Sequence, residues 1–160
     1  MSQGMVISSL PSSCDRRLLR LHDYWLSIAP GEGILPGRQH VDPLHIPALL
    51  PWVWMMDVQR APLRFRYRLV GTEHVRVSGR DVTGRWMDEV HADANKVEVY
   101  EQMIDAAERG AVGYWRGPPL FSQQANFSET ERLLLPMARN GREVDMLLAI
   151  TVYHPKRDRR

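Results

Sequence analysis

Cysteine is almost absent from this 160-residue chain, in which Cys14 stands alone. One thiol can form neither an internal disulfide nor a cysteine-based metal site, so we expect a reducing compartment and a cytoplasmic protein. The first fourteen residues lack the basic start and long apolar run of a secretory signal. No apolar stretch approaches the roughly eighteen residues of a membrane span, so we expect no membrane anchor.

Lysine is also scarce, and neither sign of charge dominates. The chain has 19 arginines and two lysines against 19 acidic residues, for a formal net charge of +2. This balance argues against a nucleic-acid partner, because affinity for a phosphate backbone rests on a surplus of positive charge. With 44% apolar and 25% charged residues, the composition is that of a single globular domain.

Two segments have the apolar spacing of amphipathic helices. The spacing predicts helices over residues 15–28 and 93–108, and Gly110 is a suitable stop for the second. The helix at 15–28 must bury one apolar stripe somewhere. That stripe consists of Leu18, Leu21, Trp25 and Ile28.

Apolar runs between turn residues predict the strands. WVWMMDV at 52–58 and RFRYRLV at 64–70 form one hairpin, and VGYWRG is a third strand. Two long runs come next, ERLLLPMA and EVDMLLAITVY, with Asn140-Gly141 in the turn between them. Asn-Gly accepts positive φ at both central positions, so we expect a type I′ hairpin there.

The strand at 64–70 alternates arginine with bulky apolar residues. Because side chains on a strand alternate between its two faces, one parity is expected inside and the other outside. A short helix at 72–77 comes after it. The expected inner residues are Phe65, Tyr67 and Leu69, and the expected outer residues are Arg64, Arg66 and Arg68.

The element order indicates the fold class. A helix precedes two strands, short helices and one long helix come next, and three strands end the chain. Parallel sheets require alternating strands and helices, so this order predicts an antiparallel α+β domain with helices on one face and an extra N-terminal helix. We expect residues 1–14 to be a flexible lead, residues 15–154 the domain and residues 155–160 a tail.

Several short motifs resemble a family of short, single-domain PAS-like proteins found largely in alphaproteobacteria. They are DYW in the first helix, LPGRQHVDP, LLP before the first strand, FRYRLVGT and GRDVTGR, and they span roughly residues 15–153. The resemblance implies a five-stranded antiparallel sheet whose helices can enclose a small cavity. It also implies a non-catalytic sensory or regulatory module that binds a small ligand or a protein partner.

The residues expected nearest such a cavity are mostly aromatic. Aromatic and methionine side chains are also the commonest core material, so a filled core is the competing interpretation. A pocket needs a few polar groups among apolar ones, and Asp81 on the same wall is a further polar candidate. The predicted ligand-binding residues are Trp54, Met56, Tyr67, His74, Arg80, Trp86 and Trp115.

No cofactor, metal site or catalytic set is assigned. His91 lies near the place where some haem-binding PAS domains supply an axial ligand, but a single loop histidine is more often solvated. Cysteinyl flavin chemistry needs a cysteine in the helical wall, and we expect Cys14 to lie outside the domain. A noncovalently bound flavin stays open, and an unidentified small ligand is the expectation.

The stripe of the first helix has two possible places, on its own sheet or against a second chain. PAS-like modules commonly dimerise through such a helix. The resemblance therefore implies a homodimer that signals to another protein by rearranging its helical wall or its dimer packing. The implied interface residues are Leu18, Leu21, Trp25 and Ile28.

Two other function classes remain open. A small cone-fold α+β enzyme of the isomerase or dehydratase kind would need a buried carboxylate of raised pKa, for which Asp57 and Asp145 are the candidates. Nucleic-acid binding would use the three outer arginines of the strand at 64–70 together with the KRDRR tail. The balanced charge speaks against it.

Overall fold

The computed structural model describes residues 5–6, 10–92, 98–118 and 127–155. In this part of the chain, six antiparallel strands form one sheet in the order β1-β4-β5-β6-β2-β3. The strands are β1 (Met5–Val6), β2 (Val53–Gln59), β3 (Arg64–Val70), β4 (Gly113–Gly117), β5 (Phe127–Met137) and β6 (Met146–Pro155). The α-helices are α1 (Arg16–Ile28), α2 (Thr72–Ser78), α3 (Met87–Val90) and α4 (Glu98–Arg109). Short 3₁₀ helices lie at Arg38–His40, Pro43–His45 and Leu50–Trp52.

The predicted antiparallel α+β sheet is confirmed, and β2 to β6 are its five expected strands. Met5–Val6, within the segment expected to be a flexible lead, adds a short sixth strand along β4. The predicted start of the long helix at residue 93 and most of the predicted tail lie outside the described residues. Among the described helices, none is both long and apolar enough to cross a membrane.

Alternation along the strands gives the sheet two buried faces. Helix α1 covers one of them, which we call the α1 face, and α4 covers the other, which we call the α4 face. The α1 face includes Val53, Met55, Leu133, Leu135, Leu148 and Ile150. The α4 face includes Trp54, Met56, Phe65, Leu134, Leu147 and Ala149. The helices therefore lie on both sides of the sheet, and of the described α-helices α1 alone covers its side.

The stripe of α1 packs on its own sheet. Leu18 and Leu21 are 0% exposed, and the indole Nε1 of Trp25 donates to the backbone oxygen of Pro136 at 2.9 Å. These side chains are buried within one chain before any partner binds, and Ile28 alone of the four keeps intermediate exposure. The dimer contact implied for this stripe is therefore wrong, because three of its four residues are already buried against the sheet. A second chain would have to contact other residues.

The alternation of β3 holds for its first half and then changes. Phe65 is buried as predicted, but Met55 pairs with Leu69 while Met56 pairs with Tyr67, so Arg68 is an extra residue in the strand. A bulge of this kind reverses the facing of the residues beyond it. Leu69 consequently lies opposite Met55 on the α1 face and is 39% exposed, so its predicted place in the core is wrong.

The hairpin between β5 and β6 is confirmed, but its turn is not of type I′. That turn needs positive φ at both central residues, and only Gly141 has it, at 85°. Asn140 instead accepts hydrogen bonds through Oδ1 from the backbone N–H groups of Arg142 and Glu143, at 3.0 and 2.8 Å. The asparagine side chain thus stabilises a wider loop than the dipeptide predicts.

Candidate functional site

His74 of α2 lies on the α4 face between two oxygen atoms. Its Nε2 is 2.9 Å from the backbone oxygen of Trp52, and a carbonyl can only accept, so Nε2 carries the hydrogen. Its Nδ1 therefore accepts from the hydroxyl of Tyr153 at 2.6 Å. Burial lowers the pKa of His74 to about 4, so the ring is neutral near pH 7.

A second tyrosine–histidine pair links β3 to the chain after α3. The hydroxyl of Tyr67 lies 3.1 Å from Nε2 of His91. Burial raises the pKa of Tyr67 to about 12, and burial followed by the charge of Arg80 lowers the pKa of His91. Both groups are therefore neutral near pH 7, and they meet as hydrogen-bonding partners rather than as an ion pair.

Trp54 of β2 joins the two pairs. Its ring centroid lies 6.5 Å from that of Tyr67 and 6.2 Å from that of His74, and its Nε1 donates to Oγ1 of Thr151 at 3.0 Å. We call this group the aromatic cluster; its members are Trp54, Tyr67, His74, His91 and Tyr153. It places neutral donors and acceptors within a largely aromatic surface, which is the chemistry that orients a planar organic molecule.

A buried guanidinium group lies near the aromatic cluster. Arg132 of β5 is 4% exposed, its Cζ is 4.9 Å from the ring of Trp115, and its Nη2 donates to Oε1 of Gln102 at 2.9 Å. Its positive charge acts on Tyr153, where it opposes the rise in pKa that burial causes. The α4 face therefore includes a buried guanidinium group beside neutral hydrogen-bonding groups.

Three of the seven predicted site residues, Trp54, Tyr67 and His74, come together in this cluster. Met56 and Trp115 are buried at 0% and 1% exposure, so they meet almost no solvent and serve as core in this conformation. The competing interpretation of a filled core applies to these two residues.

The other two predicted site residues lie outside the cluster. Arg80 is exposed and donates through Nη2 to the backbone oxygen of Val90 at 3.2 Å. Trp86 lies at the outer edge of β3, with the guanidinium Cζ of Arg64 4.1 Å from its ring centroid. Neither position follows from sequence spacing, because both depend on how the loop after α2 returns to the sheet.

Sequence reasoning missed Thr151, Tyr153 and Arg132. A signal for them exists, since Thr151 and Tyr153 share the strand parity of Leu147 and Ala149 on the α4 face. Arg132 likewise shares the parity of Leu134. Alternation counted from the end of each apolar run would have placed all three polar side chains on the α4 face of the sheet.

Among the described residues, the buried carboxylate is neither of the two predicted ones. Asp57 is only half-buried and Asp145 is exposed, whereas Glu131 of β5 is 1% exposed on the α1 face. Glu131 accepts from the hydroxyl of Tyr114 at 2.7 Å and from the backbone N–H of Asp15 at 3.2 Å, and it pairs with Nε2 of His154 at 2.8 Å. The carboxylate prediction for a cone-fold enzyme is therefore wrong for Asp57 and Asp145.

Asp15, Glu131 and His154 bring possible metal-ligand atoms within 4.8 Å of one another. Each carboxylate oxygen in this group already accepts a hydrogen bond. Those of Asp15 accept from the guanidinium and the backbone N–H of Arg17. Glu131 in turn accepts from the backbone N–H of Asp15, the residue just before α1. The group therefore serves to attach the start of α1 to β5 and β6.

Comparison with known proteins agrees with this architecture. The model of the PAS domain family matches residues 15–152, and the chain belongs to that family. A solved structure described as an RNA-binding Light-Oxygen-Voltage receptor is similar with a TM-score of 0.52 at 14% identity. The match covers 96% of this chain and 38% of that one, and at this identity it shows the fold alone. No curated protein matches the sequence. The family and the fold together make the chain a sensory PAS-type domain.

A flavin that forms a cysteinyl adduct does not fit this chain. Cys14 is 6% exposed in the core of the α1 face, so the expectation that it lies outside the domain is wrong. The sheet itself separates its thiol from the aromatic cluster on the α4 face. For haem, Nε2 of His91 would first have to leave the hydroxyl of Tyr67.

Proposed function

We propose that this PAS-domain protein is a non-catalytic sensory module that binds a small planar molecule at the aromatic cluster on the α4 face. The observation that carries the proposal is the cluster itself, in which two tyrosine hydroxyls and two neutral imidazoles lie among aromatic rings. Ligand sites combine these elements, namely apolar walls and a few convergent polar groups.

The polar groups suggest the chemistry of the ligand. Tyr153 and Tyr67 can each donate a hydrogen bond, and Nδ1 of His74 can accept one. Arg132 adds a positive charge nearby. A planar molecule with a carbonyl or carboxylate group would use the hydroxyl donors and the field of Arg132, while its ring stacked against Trp54.

Binding would change shape through α2 and α3. These helices have seven and four residues, so each contributes little packing of its own. His74 attaches α2 to β6 and to Trp52, and Tyr67 attaches β3 to His91. A ligand that takes over either tyrosine hydroxyl would release one of these attachments and shift the helices.

The response would reach a second protein, or a second copy of the chain, through surfaces other than the buried stripe of α1. We place the protein in the cytoplasm, since its one thiol suits a reducing compartment. The nucleic-acid-binding and catalytic alternatives rest on fewer observations than the cluster provides.

The indole signals of ¹⁵N-labelled protein test the site directly. Trp54 reports on the α4 face and Trp25 on the α1 face, because each indole N–H has its own hydrogen-bond acceptor. A library of planar aromatic carboxylates and carbonyl compounds should contain members that shift the Trp54 signal and leave that of Trp25 in place. Compounds that shift Trp25 while Trp54 stays unchanged would contradict the assigned face.

A further inference from the structure

The outer edge of β3 is covered by the chain's own residues. β3 is the last strand of the sheet, and an open edge exposes backbone groups that attract other strands. Here Gly84 N–H donates to the oxygen of Tyr67 at 2.7 Å, and Tyr67 N–H donates to the oxygen of Arg85 at 2.9 Å. Arg66 and Trp86 face each other as an antiparallel pair. We call residues 84–90 the edge cover; residues 84–86 pair along β3, and residues 87–90 are α3.

The side chains of the edge cover complement the first arginine of β3. The Arg64 guanidinium lies over the ring of Trp86 at 4.1 Å and donates two hydrogen bonds of 2.8 Å to the carboxylate of Asp88. Glu89 lies 3.6 Å from the same guanidinium. The edge cover thus presents an aromatic ring followed by two carboxylates to an arginine-bearing strand.

The edge cover is attached by few buried contacts. Met87 is the one buried residue of the edge cover. The ion pairs of Asp88 and Glu89 with Arg64 are exposed to solvent, where such pairs contribute little to stability. Gly79 precedes the edge cover with a φ of 80°, and Gly84 begins it with a φ of 85°. The chain therefore bends at both ends of the short loop between these glycines. Local opening of such a segment costs much less than opening the sheet.

We propose that the edge cover is an internal stand-in for a partner, and that the edge of β3 docks an acidic segment of another protein, which pairs with β3 over a few residues and carries its acids just beyond them. Charge decides the class of partner. When the cover leaves, Arg64 loses two carboxylates, and Arg66 and Arg68 are already exposed without a carboxylate partner among the described residues. A segment that hydrogen-bonds to the backbone of Tyr67 and carries an aromatic residue followed by acids would restore both the lost ion pairs and the lost backbone bonds.

This inference goes beyond the proposed ligand site, since the edge can accept a strand whatever the α4 face binds. A second copy of β3 is a poor occupant because it would place arginines beside arginines, and like charges on adjacent strands repel. A nucleic acid would meet the arginines but leave the backbone groups of Tyr67 without strand partners.

Two full-length variants open the edge and one closes it. Gly84→Pro removes the N–H donor and cannot adopt the positive φ of Gly84. The double variant Asp88→Asn/Glu89→Gln removes the attraction to Arg64 while keeping side-chain size. Arg66→Cys/Trp86→Cys closes the edge, because these residues form a non-hydrogen-bonded antiparallel pair, whose short Cα separation suits a disulfide.

The probe is a fluorescein-labelled peptide, GRWMDEV, which copies residues 84–90. In fluorescence anisotropy it should bind both opened variants at least about tenfold more tightly than the same peptide with lysines for its two acids. The closed variant should not bind the acidic peptide until dithiothreitol reduces it. Far-ultraviolet circular dichroism establishes that each variant is folded.

Three outcomes overturn the proposal. The first is a folded opened variant that does not bind the acidic peptide, and the second is equal binding of the acidic and lysine peptides. The third is tighter binding of a single-stranded oligonucleotide than of the acidic peptide, with the steep salt dependence of phosphate contacts, which would assign the edge to nucleic acid. If Gly84→Pro unfolds, the Asp88→Asn/Glu89→Gln variant decides alone.

Discussion

Tyr153 donates its phenolic hydrogen to Nδ1 of His74 across 2.6 Å and so joins the last strand to α2. Because Nε2 of the same ring donates to the backbone oxygen of Trp52, one neutral imidazole connects three parts of the chain. This arrangement makes His74 both a structural link and the natural point at which a ligand on the α4 face would act.

Tyr153→Phe should remove the donor to His74 and leave a partly buried imidazole nitrogen without it. We expect the free energy of unfolding to fall by about 1–3 kcal/mol, the usual cost of an unsatisfied buried polar group. Urea denaturation measures this. Tyr100→Phe is the matched control, since Tyr100 packs against Phe65 through its ring. An equal loss in the two variants would show that the hydroxyl of Tyr153 contributes nothing specific.

The free energy of unfolding should decrease as the pH is lowered through the range in which His74 takes up a proton. An unfolded histidine takes up its proton below about pH 6.5, whereas His74 in the folded chain takes it up only near pH 4. The depressed folded pKa therefore contributes stability above pH 6.5 that is lost between about 6.5 and 4, amounting to roughly 2–3 kcal/mol.

The pH prediction is checked by urea titrations from pH 7 to pH 4. His74→Gln keeps one donor and one acceptor but cannot titrate, so its stability should change less over this range than that of the wild type. His45→Gln, at an exposed position, is the control and should follow the wild type. If the stability of His74→Gln and of the wild type changed equally with pH, the assignment of His74 as a neutral, partly buried ring would be contradicted.

Glu131→Gln should weaken the attachment of α1. The amide would set an N–H₂ group against donors that now meet carboxylate oxygens, namely the hydroxyl of Tyr114 and the backbone N–H of Asp15. We expect a loss of about 1–3 kcal/mol in urea denaturation. Glu129→Gln, on the same strand and paired with exposed Arg116, should cost about 1 kcal/mol or less. Similar costs for both would contradict a special role for Glu131.

Leu21→Ala tests the docking of α1 on its own sheet. Removing a fully buried leucine should cost about 2–5 kcal/mol without changing the subunit number seen by light scattering. Leu26→Ala lies on the same helix at 53% exposure and should change stability by about 0.5 kcal/mol or less. If Leu21→Ala instead dissociated a dimer and left the monomer as stable as before, the stripe would be an interface after all.

The sheet and its faces were predictable because strand alternation is a local property. Phe65 lies where its parity places it, and the segments at 52–58 and 64–70 are strands. The bulge at Arg68 was not predictable, since arginine and leucine occupy either face and the extra residue depends on pairing with β2. The type I′ prediction for the turn at Asn140 was wrong because the asparagine side chain accepts backbone hydrogen bonds that stabilise a wider loop.

The candidate site was predictable only in part. Trp54, Tyr67 and His74 were identified as aromatic or polar residues near the helical wall, and they do meet. Trp86 and Arg80 lie outside the aromatic cluster because the loop after α2 turns back along the edge of β3, a tertiary contact with no local signature. The burial of Cys14 likewise follows from how α1 lies on the sheet.

The most direct test of the sensory proposal is native mass spectrometry of the protein purified from the cells that make it. We predict a mass excess of one small molecule per chain that disappears on denaturation and is lost in a folded Tyr67→Phe/His74→Gln variant. A wild-type spectrum showing the bare chain alone, or a mass excess that the variant retains in full, would contradict the ligand site on the α4 face.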